Sequence, residues 1–281
     1  MPAAARLGPH VVGVRVVVRH RLPDGRATDT LGICTAWRES SLVVDSDDGP
    51  VEIALADVVA GKPVPPRPSV RARVSAREAQ QHGFTLFPDL VTEPVGAWIL
   101  RSSPTVGARR ANSVLAFGPA GVPDAYERVV AHYERPIAAI LPDSEEHELF
   151  RSHGWGPESN DGDTLFQLAP TSRALRAAGP VPDAELEHLA PTVVRATVDG
   201  VAAGIAAYDA DWVGFRGIEV EPSARRRGLG LAVMAALLDW GASQGATTAY
   251  LQVLDGNDPA LALYERLGFV THHGYRYLTP R

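Results

Sequence analysis

The sequence predicts an α/β (α+β) chain in which a mixed central sheet carries helices and a small all-β unit of the SH3-like barrel kind comes first. Three observations predict this. Residues 11 to about 60 hold only short apolar runs separated by turn signals. A proline-dense stretch, "GKPVPPRPSV", follows and reads as an extended linker that cannot pack into an element. Beyond about residue 192, strands and helices alternate, and a helix linking two strands argues a sheet covered by helices. The expected units are 1–62, 70–170 and 183–281.

Within the first unit the strands are "VVGVRVVVRH", "DTLGICTAW", "SLVVDS" and "PVEIAL". Turns fall at Pro23-Asp24-Gly25, Arg38-Glu39-Ser40 and Asp47-Asp48-Gly49. Residues 1–70 contain eight Lys/Arg and eight Asp/Glu, so the barrel shows no electrostatic footprint for nucleic acid. "DSDDG" is not a calcium loop, because Pro50 stands where such a loop needs glycine. The single cysteine, Cys34, lies in the apolar stretch "LGICTAW" and reads as a small buried hydrophobe.

A formal charge of −6 argues against a general polyanion binder. One cysteine excludes an internal disulfide framework and fits a reducing compartment. The start "MPAAARLGPH" lacks the apolar stretch of a secretory signal, and the longest apolar run, Leu229 to Leu238, is half the length of a membrane span. The cytoplasm is the expected compartment, and no membrane partner is expected.

The middle region mixes strand-like and helix-like pieces and ends near "AAGPVPDAE". In it, "AAILPDSEEHELFRSHGW" (138–155) aligns with "QVLDGNDPALALYERLGF" (252–269) at constant offset, Phe150 on Tyr264, Gly154 on Gly268 and Trp155 on Phe269. It reads as a diverged copy of the last strand–helix unit. The last third then runs as strands "TVVRATVDG", "VAAGIAAYDA" and "WVGFRGIEVEP", a helix over 228–243, strand "TTAYLQVL", a helix over 259–267 and strand "GYRYLTP".

The junction "RRRGLG", residues 225–230, enters the first of these helices and has no counterpart in the middle copy. A dinucleotide fingerprint needs a third glycine where Val233 stands, and no Gly-Lys-Ser/Thr of a P-loop is present. An anion cradle requires less. First-turn amides lack intrahelical partners, the helix dipole favours an anion, and glycines at 228 and 230 let it approach the backbone. Arg225, Arg226 and Arg227 are unfavourable at a helix N-terminus unless an anion docks there; taken alone, they fit a solvated turn equally well.

In the second segment, Asp258 reads as the N-cap, Pro259 as the first helical residue and Gly268 as the stop. Tyr264 by itself fits a core aromatic, and Asn257 a turn residue. The pairing of "VEPSARRRGLG" with "YLQVLDGNDPALALYERLGF" resembles the GCN5-related N-acetyltransferases (GNAT family). Their Arg/Gln-x-x-Gly-x-Gly/Ala signature is matched by Arg225, Gly228 and Gly230, and their Asn-x-x-Ala-x-x-x-Tyr by Asn257, Ala260 and Tyr264, followed by Gly268 and Phe269. The close resemblance covers roughly 195–281. More loosely, the layout resembles an actinobacterial type with an SH3-like barrel, a degenerate GNAT-like half and a functional GNAT half.

The resemblance implies acetyl-CoA as co-substrate. It implies a pantetheine arm along Ile218, Glu219 and Val220, a pyrophosphate on the amides of Arg226, Arg227, Gly228, Leu229, Gly230 and Leu231, and Asn257 on the cofactor. Tyr264 is implied as the acid that protonates the departing thiolate. Where some relatives carry a glutamate this chain has Gln252, which cannot titrate. Glu219 and Glu221 are the nearest carboxylates for a general base, and ordinary solvent-facing strand residues are the alternative for each. His272 and His273, adjacent on a strand, are expected on opposite faces, which is poor geometry for a shared metal, and no metal site is expected. The implied acceptor is an amine, on a small molecule or as a protein lysine or N-terminus; the barrel has room for a protein partner. A non-catalytic acyl-CoA sensor or protein-binding adaptor is the rival.

Overall fold

The computed structural model describes residues 7–46, 49–64 and 73–281. Asp47 and Asp48 of the "DSDDG" turn, the first six residues of the start, and residues 65–70 of the proline-dense segment lie outside the described residues. The chain divides into two compact units, residues 1–69 and 70–281.

The first unit is an antiparallel sheet of β1 (Arg15–Arg21), β2 (Ala27–Trp37), β3 (Ser41–Ser46), β4 (Gly49–Ala54) and β5 (Val58–Pro63), ordered β4-β3-β2-β1-β5. Period-two alternation sends Val16 and Val18 inward to meet Val11, Cys34, Leu42, Val44 and Ile53. Cys34 is fully buried and burial raises its thiol pKa, as a small core hydrophobe requires. Gly25, at φ +83°, turns the first hairpin, with its N–H donating to the Leu22 carbonyl at 2.9 Å.

The second unit is built on one twelve-stranded mixed sheet. In chain order its strands are β6 (Val91–Val95), β7 (Trp98–Ser102), β8 (Ser113–Ala116), β9 (Ala138–Ile140), β10 (Trp155–Pro157), β11 (Thr164–Pro170), β12 (Glu185–Ala190), β13 (Val193–Val198), β14 (Ala202–Asp209), β15 (Trp212–Val220), β16 (Thr248–Leu254) and β17 (Val270–Pro280). The helices are α1 (Ala76–His82), α2 (Ala125–His132), α3 (Glu145–Ser152), α4 (Thr171–Ala178), α5 (Leu229–Ser243) and α6 (Asp258–Arg266). The strand order is β12-β13-β14-β15-β16-β11-β17-β9-β8-β7-β6, with β10 added on β17.

The order contains a reciprocal exchange. The succession strand, helix, strand occurs as β9–α3–β10 and again as β16–α6–β17, each time with a parallel neighbour, β8 for β9 and β15 for β16. Both helices end on a left-handed glycine, Gly154 at φ +81° and Gly268 at φ +83°. Yet β11, which follows the first succession, pairs with β16 of the second. The end of β17 returns to the first, with Arg276, Tyr277 and Leu278 opposite Ile140, Ala139 and Ala138. Each half supplies a strand to the other's sheet, so their backbone hydrogen bonds are common property.

α5 is apolar nearly all round, with Val233, Met234, Leu237 and Leu238 among its buried residues, because it is covered by the sheet below and by α4 beside it. On the opposite face of the sheet, α1 and the turn Gly83–Leu86 cover Phe166, Trp212 and Tyr250. β17 begins at Val270, four residues before the strand read from "GYRYLTP", because pairing with β11 extends it.

A cleft between parted strands

β15 and β16 pair only from Trp212 with Thr248 to Phe215 with Leu251. Beyond that point they part. β16 stays on β11 to Leu254, and β15 stays on β14 to Val220. A bulge helps them diverge: Ile205 faces Arg216 and Ala203 faces Glu219, so Gly217 and Ile218 both oppose Gly204, and Gly217 takes φ +59°. The edge of residues 216–220 that faces the gap therefore has no strand partner. Polar backbone exposed in this way must be satisfied by water or a ligand.

The gap opens into a cleft of about 1070 Å³. One wall is the N-terminus of α5. Gly228 is its N-cap, left-handed at φ +81°, and no side chain caps the first turn. Arg226 is also left-handed, at φ +64°, a strained setting for a residue with a Cβ. The succession of left-handed Gly228 and helical Leu229 turns neighbouring N–H groups to one side, the geometry of an anion nest. A Cβ at Gly228 would meet nothing within 4 Å, and one at Gly230 would sit 3.7 Å from Leu263 Cδ2. The two positions thus keep open space in front of the amides, which suits an anionic group at this wall.

Ile218, Glu219, Val220, Glu221, Arg225, Arg226, Gly228, Leu229, Gly230, Leu231, Asn257 and Tyr264 all line this cleft, whereas Arg227 does not. Ile218 and Val220 turn toward the core under α5, and Glu219 and Glu221 are exposed. The Arg225 Nε donates to the Val220 carbonyl at 3.3 Å, so this arginine folds over the cleft floor rather than away from it.

α6 forms the other wall. Its N-cap is Asn257, whose Oδ1 accepts from the Ala260 N–H at 3.3 Å; Asp258 is the first helical residue and Pro259 the second. This corrects by one residue the expected cap at Asp258, since the asparagine carbonyl takes the cap bond while proline needs no partner in the first turn. The helix stops as expected, with the Phe269 N–H on the Tyr264 carbonyl and the Gly268 N–H on the Glu265 carbonyl, both 2.9 Å. Tyr264 is 8% exposed and packs edge-on to Phe269. Burial raises its hydroxyl pKa, and the charge of Arg110 offsets part of that rise.

His272 and His273 do not point to opposite faces. Phe166 faces His273 and Gln167 faces Thr271, which leaves His272 as a bulge, and the two Nδ1 atoms come within 2.7 Å. The His272 Nε2 lies 2.9 Å from the Val74 carbonyl, and the His273 Nε2 lies 3.2 Å from the Gln80 Nε2. The two rings thus link Gln80 to Val74 in one chain of hydrogen-bond contacts. No group of three or more His, Cys, Asp or Glu suited to a metal occurs among the described residues.

In the first half, the loop after β8 is pinned to the β6–β7 hairpin, with the Trp98 Nε1 donating to the Gly118 carbonyl at 2.8 Å and the Ala97 N–H to the Ala120 carbonyl at 2.6 Å.

Residues 163–278 match a family profile described as probable histone acetyltransferase Rv0428c C-terminal. The whole chain is 28% identical to the probable histone acetyltransferase Rv0428c of Mycobacterium tuberculosis over 95% of both chains. A GCN5-related N-acetyltransferase from Kribbella flavida superposes with a TM-score of 0.54 at 19% identity, over 74% of this chain and 96% of that one. The chain has the GNAT acetyltransferase fold. A stretch of 52 residues, 18% of this chain, is 44% identical to 35% of the ribosomal protein bS18-alanine N-acetyltransferase of Escherichia coli. Residues 10–62, the five-stranded unit, match a family profile described as the Rv0428c N-terminal Sm-like domain, which names that unit Sm-like rather than SH3-like. No helix among the described residues is long and apolar enough to cross a membrane.

Sequence reasoning missed Arg101, Arg110 and Arg216, and the α1 segment that covers the far side of the parted strands. Arg110 lies in "RRANSVLAFG", more than a hundred residues from Tyr264, whose hydroxyl its charge acts on, and nothing in local spacing marks it.

Proposed function

We propose that this chain is an N-acetyltransferase that moves the acetyl group of acetyl-CoA to an amine by direct attack in a ternary complex. The observation that carries the reading is the open cleft where β15 leaves β16 at the uncapped N-terminus of α5. The unpaired edge of residues 216–220 would hold the pantetheine arm, with Ile218, Glu219 and Val220 as its backbone partners. The amides of Arg226 to Leu231 would receive the pyrophosphate, with Arg225 beside it. Asn257 spends its Oδ1 on the α6 cap, which leaves its Nδ2 as the donor it offers to the cofactor.

Bound acetyl-CoA supplies the thioester. The chain's own residues manage protons and position. Tyr264, kept protonated by burial, donates its hydroxyl proton to the leaving sulfur; among the described residues its hydroxyl has no hydrogen-bond partner that competes. An amine must lose a proton before it attacks, and Glu219 takes it, directly or through water. Glu219 projects from β15 on the face away from α5, opposite in sense to Ile218 and Val220. Glu221 lies past the strand end and is the second candidate. Gln252 stands in the gap but its amide is held by the Tyr275 hydroxyl at 2.5 Å, a positioning role.

The first half serves as a degenerate GNAT-like half without a cofactor, in a division 1–62, 70–170 and 183–281. The acceptor is a small-molecule amine or a protein amine such as the relatives' names indicate, and the N-terminal unit is available to a protein partner. The test is release of CoA thiol from acetyl-CoA across a panel of amines and lysine peptides. Acceptor-dependent release supports the enzyme. Tight CoA binding with no release against any acceptor would leave the rival, an acyl-CoA sensor or adaptor.

A further inference from the structure

Arg101, Arg110 and Arg216 lie around the segment Gly83–Leu86, on the side of the sheet away from α5. Arg216 is the first residue of β15 beyond its last pair with β16. Its Nε donates to the Leu86 carbonyl at 2.8 Å and its guanidinium lies 5.0 Å from the centre of the Phe87 ring. Arg101, only 2% exposed, donates through Nε and Nη2 to the Ser113 carbonyl and hydroxyl at 3.1 and 2.7 Å, and lies 5.8 Å from the Phe84 ring. Arg110 follows Arg109 on the single turn Arg109–Ala111, whose Ala111 is buried with Phe166 and Tyr250.

The neighbours behave differently. Arg109 is paired, its Nη1 on Glu158 at 2.6 Å. The Nη1 of Arg110 is buried with no hydrogen-bond partner among the described residues. None of Arg101, Arg110 and Arg216 belongs to an ion pair among those residues. The carboxylate that acts on Arg216 is Asp89, and it is already engaged by the hydroxyls of Ser103 and Thr105. Burial first, then the charges of Arg110 and Arg195, hold Arg216 below its ordinary pKa. The Arg110 charge also opposes the burial-driven rise of the Tyr264 hydroxyl pKa, and Arg216 stands where β15 parts from β16.

Three like charges drawn partly out of water with one carboxylate, Asp89, acting on one of them are costly, and a guanidinium with an unmet donor is a site for an oxyanion. We propose that Arg110, with Arg216 beside it, selects a small acceptor whose amine is accompanied by an oxyanion, a carboxylate or a phosphate. The inference rests on the acetyltransferase reading and narrows its acceptor. It disfavours a lysine within a basic peptide, because Arg101, Arg110, Arg216 and Arg195 all repel further positive charge there.

Matched acceptors test it: glycine against glycinamide, β-alanine against β-alaninamide, phosphoethanolamine against ethanolamine, and a lysine-rich peptide. The parent protein should favour the anionic member in kcat/KM by roughly 10- to 100-fold, the value of charge-assisted hydrogen bonds. The carboxylate and phosphate arms distinguish the two oxyanions. Arg110→Gln should lower kcat/KM for the anionic members by roughly ten-fold more than for the neutral members, with Arg110→Lys recovering part of the preference. Calorimetry with N-acetylglycine, N-acetyl-β-alanine and N-acetylphosphoethanolamine against their neutral analogues, in the presence of CoA, reads the same site without turnover. Equal use and equal binding of anionic and neutral members, or an equal loss for both in Arg110→Gln, overturns the proposal. Product binding that depends on Arg110, in a protein that transfers nothing, would keep the anion site and sink the acetyltransferase reading instead.

Discussion

Gly230→Ala should make the free protein more stable and its CoA binding weaker, an opposition that only a ligand-dedicated glycine produces. Gly230 is the second residue of α5, and a Cβ there would lie 3.7 Å from Leu263 Cδ2 and 3.8 Å from Val220 Cγ2, ordinary contact distances. Alanine in a helix is favoured over glycine by about 0.5–1 kcal/mol, and it also restricts the unfolded chain. A first-turn position sits at the lower end of that range. For a unit of this size the melting temperature should rise by roughly 1–4 °C. The same methyl stands in front of the first-turn amides. Charge-assisted hydrogen bonds to an anion are worth about 1.5–3 kcal/mol each, so forfeiting one weakens CoA by roughly 10- to 100-fold. Scanning calorimetry on the free protein gives the first quantity and isothermal titration with CoA the second. An unchanged CoA affinity in a stabilised variant would refute the cradle. A loss of stability would refute the claim that the backbone there tolerates a side chain.

Gly228→Ala should behave differently, since φ +81° puts any Cβ into the left-handed region and costs the fold about 1–2 kcal/mol, read as a lower melting temperature with CoA binding weakened as well. Tyr264→Phe keeps the ring against Phe269 and removes only the hydroxyl, so turnover should drop by about 10²–10⁴ with CoA affinity little changed; parent-like turnover in the folded variant would remove Tyr264 from the proton path. Titration calorimetry should give about one CoA per chain, because the first half closes its loop on its own hairpin, and a stoichiometry near two would contradict this. Burial, and His272 second, depress the His273 pKa to about 3 from 6.5. The unfolded chain then binds a proton below about pH 6.5 that the folded chain refuses, so stability should fall as pH drops from 6.5 toward 3, by at most about 1.4 kcal/mol per unit. Urea midpoints at pH 7 and 4.5 should converge in His273→Gln relative to the parent, and an identical pH dependence in both would exclude His273 as the source.

The sequence by itself determined what is local. Gly228 and Gly230 ahead of an apolar run, and Pro259 and Gly268 bounding another, specify helix ends through φ preferences and missing donors, which a chain carries wherever it goes. The alternation in "VVVRH" and the break at Pro23-Asp24-Gly25 specify strands and a hairpin in the same way. The repeated spacing of Phe150 with Gly154 and Tyr264 with Gly268 exposed the second strand–helix unit. Errors arose where neighbours along the chain compete at short range: Asn257 and Asp258 are both good caps, and the difference lies in which carbonyl reaches the Ala260 amide.

Tertiary structure decided everything that depends on pairing between distant strands. That β17 starts at Val270 and bulges at His272, turning two histidines toward each other, follows from its register on β11, which no residue of β17 encodes alone. That β15 leaves β16 after Phe215, and so opens a cleft, depends on the bulge opposite Gly204 and on β16 keeping its bonds to β11. The exchange of β11 and β17 between the halves has the same origin, because backbone hydrogen bonds are alike at every residue and only the packed side chains choose the partner. Arg110 shows the same dependence: it lies in the first half, makes no local motif, and its charge acts on the Tyr264 hydroxyl of the second because the two halves share one sheet.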